Sequence, residues 1–170
     1  MEGESILQTT AEVSVALAGF TGVVAAFGQR RGSWSDIDTL RFRVMLFTSL
    51  SALVFSILPF ALHHMRSEAS STWAISSGLL ASYFVITVFV DTRRWRQVVT
   101  RRDSEFSAWP GLLALLLASI AIVTQVLNGL GIGFHRAFGP YFLGVCCLLL
   151  TCTLMFIRLL SFVGQQTAEE

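Results

Sequence analysis

Few side chains in this sequence have the type and placement for chemistry. Glu12 stands where an apolar run begins, and an ionisable group entering such a run is a functional candidate by default. In helical steps its face continues through Ala16, Gly19 and Val23, all small or slender. In a homo-oligomer that face would line a pore with carboxylates at its mouth, an arrangement that selects cations. The simpler alternative is an interfacial acid that starts a helix, where it complements the dipole. Thr124, Gln125 and Asn128 share a second face, because steps of three and four meet on a helix. Side-chain amides are costly against lipid, so this face turns inward, either to hydrogen-bond between helices or to hold a ligand or ion. Gly129, Gly131 and Gly133 follow at once. They make a turn, of the kind that in transporters also exposes carbonyls to ions.

His63, His64 and His135 with Glu12 and Glu68 contain the donors that a divalent transition metal takes. Adjacent histidines on a helix point about 100° apart, and no two histidines stand three or four apart. No metal site and no cofactor are therefore assigned. Cys146, Cys147 and Cys152 lie in one apolar run and read as small hydrophobes, not as a disulfide framework. The sequence holds no G-x-S-x-G elbow, no Ser–His–Asp order, no phosphate loop and no dinucleotide fingerprint. The expectation is a non-enzyme.

The elements that position these residues follow from composition. Of 170 residues 54% are hydrophobic and only 14% are charged, against roughly a quarter charged in soluble domains. Mean hydropathy is +0.66. Apolar runs long enough to cross about 30 Å of hydrocarbon appear at residues 11–28, 42–62, 73–90, 110–133 and 140–163. The fold class expected is all-α, an integral membrane bundle of five transmembrane helices, with no soluble domain. The N-terminal stretch carries Glu2 and Glu4 and no basic side chain, so a cleavable signal is not expected. Ser35 with Asp38 resembles a capping pattern and starts the second helix near Asp36, ahead of its apolar run.

All twelve basic residues are Arg. Placing the first and third connectors and the C-terminus on the cytoplasmic side puts ten of them inside and two outside. Cytoplasmic loops concentrate basic residues, so the N-terminus is expected outside and the C-terminus inside. Trp34, Trp73, Trp95 and Trp109 fall near helix ends, at headgroup level. In that orientation Glu12, Ser14, Ser76, Ser77, Gln125, Asn128, His63 and His64 all lie toward the outer side. They outline at most an outward polar vestibule or ion pathway above an apolar floor. Arg93, Arg94, Arg96, Arg101 and Arg102 form a basic juxtamembrane cluster, expected to contact anionic lipid. Against three acids in the same connector they make no nucleic-acid surface. Ser14, Ala18, Gly22 and Ala26 recur every four residues, a spacing that lets helices pack closely.

Ala18-Gly19-Phe20-Thr21-Gly22-Val23-Val24 with Arg30-Arg31, Trp34-Ser35-Asp36-Ile37-Asp38, Leu40-Arg41-Phe42-Arg43 and Ser49-Leu50 through Leu58-Pro59 form a pattern over about the first 65 residues. It resembles a group of small bacterial multi-pass membrane proteins of unknown function. The resemblance implies the architecture and a bacterial inner membrane, and carries over no catalytic residue. The function expected is a partner, assembly or sensing subunit bound to another membrane protein. The alternative is a small homo-oligomeric ion or solute channel or transporter.

Overall fold

The computed structural model describes residues 3–30, 36–66, 68–100 and 109–166. The side chains of 27–30, 36–38, 94–100 and 159–166, and of Ala25 and Arg66, fall outside that description. The described residues form five helices: α1 (Glu4–Arg30), α2 (Asp36–Arg66), α3 (Ala69–Thr100), α4 (Trp109–Leu130) and α5 (Phe138–Gln166). All five are long and apolar enough to cross a membrane. The chain is an all-α, multi-pass membrane protein by helix length and hydropathy.

Each helix runs antiparallel to the next. On α2 and α5, Met45 meets Cys152 while Phe55 meets Tyr141. On α3 and α4, Ser77 meets Asn128. One end of the bundle therefore collects the start of α1, the end of α2, the start of α3 and the α4–α5 turn. There Trp73 lies 5.5 Å from the rings of both Phe138 and Tyr141, and any side chain at Gly3 would run into Phe138. The other end collects the basic helix ends, and Arg158 lies over the Trp109 ring at 5.6 Å. Helix α5 touches the four others, whereas α1 packs on α2 and lightly on α5 alone among the described residues.

Helix bounds depart from the apolar runs for physical reasons. Helix α1 starts at Glu4, seven residues ahead of the run at 11. Thr9, Thr10 and Ser14 donate to carbonyls four residues back, so their hydroxyls are satisfied within the helix and hydropathy understates it. Helix α2 starts at Asp36, where the capping pattern put it; the expected cap, Ser35, lies outside the described residues. Helix α4 stops at Leu130 because Gly131 takes a φ of +76°. Ile132 N–H then donates to Leu127 O and Gly131 N–H to Asn128 O, the paired closure that glycine permits at a helix end.

Pro59 does not end α2, which continues to Arg66. Proline has no N–H, so the carbonyl four residues earlier, that of Phe55, loses its helical donor. The Tyr141 hydroxyl, from α5, donates to that same carbonyl. A neighbouring helix thus closes the gap, as it must where no water is at hand. Tyr141 itself is fully buried.

Candidate functional site

Asn128 and Gln125 are both 0% exposed. The Asn128 amide donates to Ser77 Oγ at 2.9 Å and to the Ala137 carbonyl at 3.0 Å, while its Oδ1 accepts from Ala137 N–H at 3.0 Å. One side chain thus grips both backbone groups of Ala137 and ties the pair to α3. This grip follows two consecutive left-handed residues, His135 and Arg136, with φ of 51° and 57°. Non-glycine residues adopt that region reluctantly, and Asn128 fixes the chain where it leaves it. Gln125 Nε2 donates to the Pro140 carbonyl at 2.6 Å, and Gln125 Oε1 has no partner among the described residues. Gln125 packs over Gly144, where a Cβ would stand 2.5 Å from Gln125 Nε2 and 2.8 Å from Leu80 Cδ2. The two amides therefore bind α3, α4 and α5 into one unit at this end.

Glu12 lies elsewhere. It is exposed on α1, where Gln8 Nε2 donates to it at 3.5 Å. The apolar segment extends from Glu4 to Val24, so Glu12 stands eight residues inside it, about 12 Å along the helix. It lines a groove of about 710 Å³ between α1 and α2, with Leu7, Ala11, Leu53, Ile57 and Phe60. Neither Gln125, Asn128, His63 nor His64 lines that groove. His64 Nδ1 stands 2.9 Å from the Phe60 carbonyl, a contact that needs the ring proton there. His63 is half-buried and its Nδ1 is unpartnered among the described residues. The residues expected around one vestibule thus divide into two sealed amides and one outward carboxylate, with the histidines at the end of α2.

The outward face of α1 is the one that Glu12 begins. Ala16, Gly19 and Val23 are all exposed. The small stripe turns as it descends: Ser14 is buried, Ala18 half-buried, and Gly22 and Ala26 exposed. A Cβ at Gly19 or Gly22 would meet nothing within 4 Å among the described residues, so their packing does not require glycine at either position.

At the basic end, Arg93 lies 3.9 Å over the exposed Phe89 ring and Arg43 lies 5.5 Å from that of Phe47. Guanidinium on an outward aromatic combines cation–π attraction with a polar head. Arg94 and Arg96 belong to α3 with side chains outside the described residues, and Arg101 and Arg102 lie outside them altogether. Among the described residues no three His, Cys, Asp or Glu side chains gather as metal ligands would. Sequence reasoning assigned no packing role to Tyr141, which it placed only as a ring at a helix end, or to Gly144; the bundle uses both as heavily as the amides. Pro59 was the available signal, since a proline inside a span leaves a carbonyl in need of a donor.

Comparisons of the chain with family models, with curated proteins and with solved structures give no match.

Proposed function

We propose that this chain is a non-enzymatic membrane subunit that works by binding another membrane protein through the outward face of α1. One observation supports this above the others: the face through Glu12, Ala16, Gly19 and Val23 is slender, carries a carboxylate eight residues inside the apolar segment, and is exposed. Such faces let a second helix approach closely, and a buried partner cation or hydroxyl would relieve the carboxylate. A photoreactive residue placed at Val23 in intact membranes should cross-link to a different membrane protein. Cross-links solely between copies of this chain would overturn the proposal.

That second outcome would favour the homo-oligomeric conductor, in which the same face brings Glu12 side chains together. The conductor then requires ion flux that falls on Glu12→Gln.

The orientation proposed is N-terminus out and C-terminus in, supported by the ten-to-two division of Arg between the two sides. The membrane proposed is a bacterial inner membrane, on the resemblance of the first 65 residues. In a chain freed of its three cysteines, Ser70→Cys should react with an impermeant reagent on intact cells and Ser104→Cys should not. The reverse pattern would invert the bundle.

A further inference from the structure

A second cavity, of about 590 Å³, lies at the basic end, and the α1 face plays no part in it. Its walls come from the first half of α2, the second half of α3 and the start of α4. Its floor is buried: Phe84, Ala118, Leu148, Thr151 and Met155. Its rim includes Phe47, Ile86, Leu112 and Leu115, all exposed on the sides of helices that would face hydrocarbon. The cavity thus opens sideways, toward the place lipid chains occupy.

The lining is mostly apolar, and three of its hydroxyls are turned onto their own helices. Thr48, Thr87 and Thr151 each donate to a carbonyl four residues back on their own helix, at 2.8, 3.0 and 2.8 Å. No hydroxyl among them is left to demand a polar guest. Charge enters at one place, the mouth, where Arg41 and Arg43 stand with Asp91. Arg43 is exposed and its charged head lies over Phe47, itself on the rim. An apolar slot of small-molecule size, roughly 300–1,000 Å³ being usual, with a basic mouth fits a molecule with an apolar chain and an anionic head.

We propose that this cavity is a binding site for one acyl chain of an anionic phospholipid, its phosphate held by Arg43 and Arg41 at the mouth. A protein helix is disfavoured as occupant, because the slot is lined on three sides and floored by α5. A neutral lipid would fill the slot but bring no anionic group to its basic mouth. The site differs from a general annulus of lipid in that its floor residues are shielded from the bilayer by other helices.

The test uses the purified full-length chain in mixed micelles with phosphatidylglycerol bearing a photoactivatable diazirine in mid-chain. Irradiation should place adducts on the floor, at Leu148, Met155 or Ala118. The matching phosphatidylcholine probe should label the floor at least several-fold less. Arg43→Gln, an exposed substitution that leaves the bundle intact, should lower floor labelling by about five-fold, the factor one basic residue contributes at an anionic surface. Arg136→Gln, at the opposite end, should leave it unchanged. Adducts confined to outward side chains such as Leu116 and Val123, equal floor labelling by the two lipids, or labelling indifferent to Arg43→Gln would each overturn the proposal.

Discussion

Gly144→Leu should destabilise the bundle by about 4 kcal/mol, combining roughly 1–3 for overpacking with roughly 1–3 for a stranded buried amide. Position 144 is where α5 passes between Gln125 on α4 and Leu80 on α3, both fully buried. A Cβ there already stands 2.5 Å from Gln125 Nε2, whose hydrogen bond to Pro140 holds it in place. Alanine can be admitted only if the amide swings away from Pro140, at a cost of about 1–2 kcal/mol. A Cβ also stands 2.8 Å from Leu80 Cδ2, so alanine must shift that methyl too, and leucine must displace the Leu80 side chain further. Unfolding in a denaturing detergent series, followed by near-ultraviolet circular dichroism, should show the order wild type, Gly144→Ala, Gly144→Leu. A leucine variant within about 0.5 kcal/mol of wild type, the range of neutral surface changes, would remove Gly144 from the account of how α3, α4 and α5 are joined.

Tyr141→Phe is the second large effect, and its size should depend on a residue 82 positions away. Hydrogen bonds between membrane helices average only about 0.6 kcal/mol, because separated helices find other partners. The Phe55 carbonyl lacks its usual donor within its own helix, since Pro59 has no N–H. Losing the Tyr141 hydroxyl should therefore cost more, about 1.5–2 kcal/mol, the penalty of an acceptor left unmet in an apolar core. In a Pro59→Ala background the residue 59 N–H returns to the Phe55 carbonyl, and the same Tyr141→Phe change should cost about 0.5 kcal/mol. A double-mutant cycle measured by the same unfolding series should show a coupling of about 1 kcal/mol or more. Equal costs in the two backgrounds would mean that the hydroxyl does not replace the proline's missing donor.

The helices were legible in the sequence where apolar runs and charges alternate. The end of α4 was not: the run reaches 133, and the helix stops at Leu130 because Gly131 takes a positive φ. The start of α1 was not legible by hydropathy, because hydropathy counts Thr9, Thr10 and Ser14 as polar while their hydroxyls are turned onto the helix itself. The shared face of Gln125 and Asn128 was likewise readable from their spacing. Their partners were not: they are the backbones of Ala137 and Pro140 and the hydroxyl of Ser77, and which of these an amide meets depends on how three helices pack. The same holds for the cavity, whose threonines sit on three separate helices and converge only in the folded bundle. Glu12 shows the converse: the apolar run begins beside it, whereas the apolar segment of α1 begins eight residues earlier, at Glu4.

The dependence on α5 has a consequence for how the chain is made. Synthesis delivers the helices in order, and α2 and α4 arrive carrying groups that lipid cannot satisfy: the Phe55 carbonyl on one, and the Gln125 and Asn128 amides on the other. All three find partners on α5 or on the turn that leads into it. Until that last helix is in place, the half-built protein holds unpaired polar groups within its apolar helices. Such a nascent chain gains from lingering beside the insertion machinery or a chaperone, and a chain truncated before residue 138 would carry a permanent mark of incompleteness for membrane quality control.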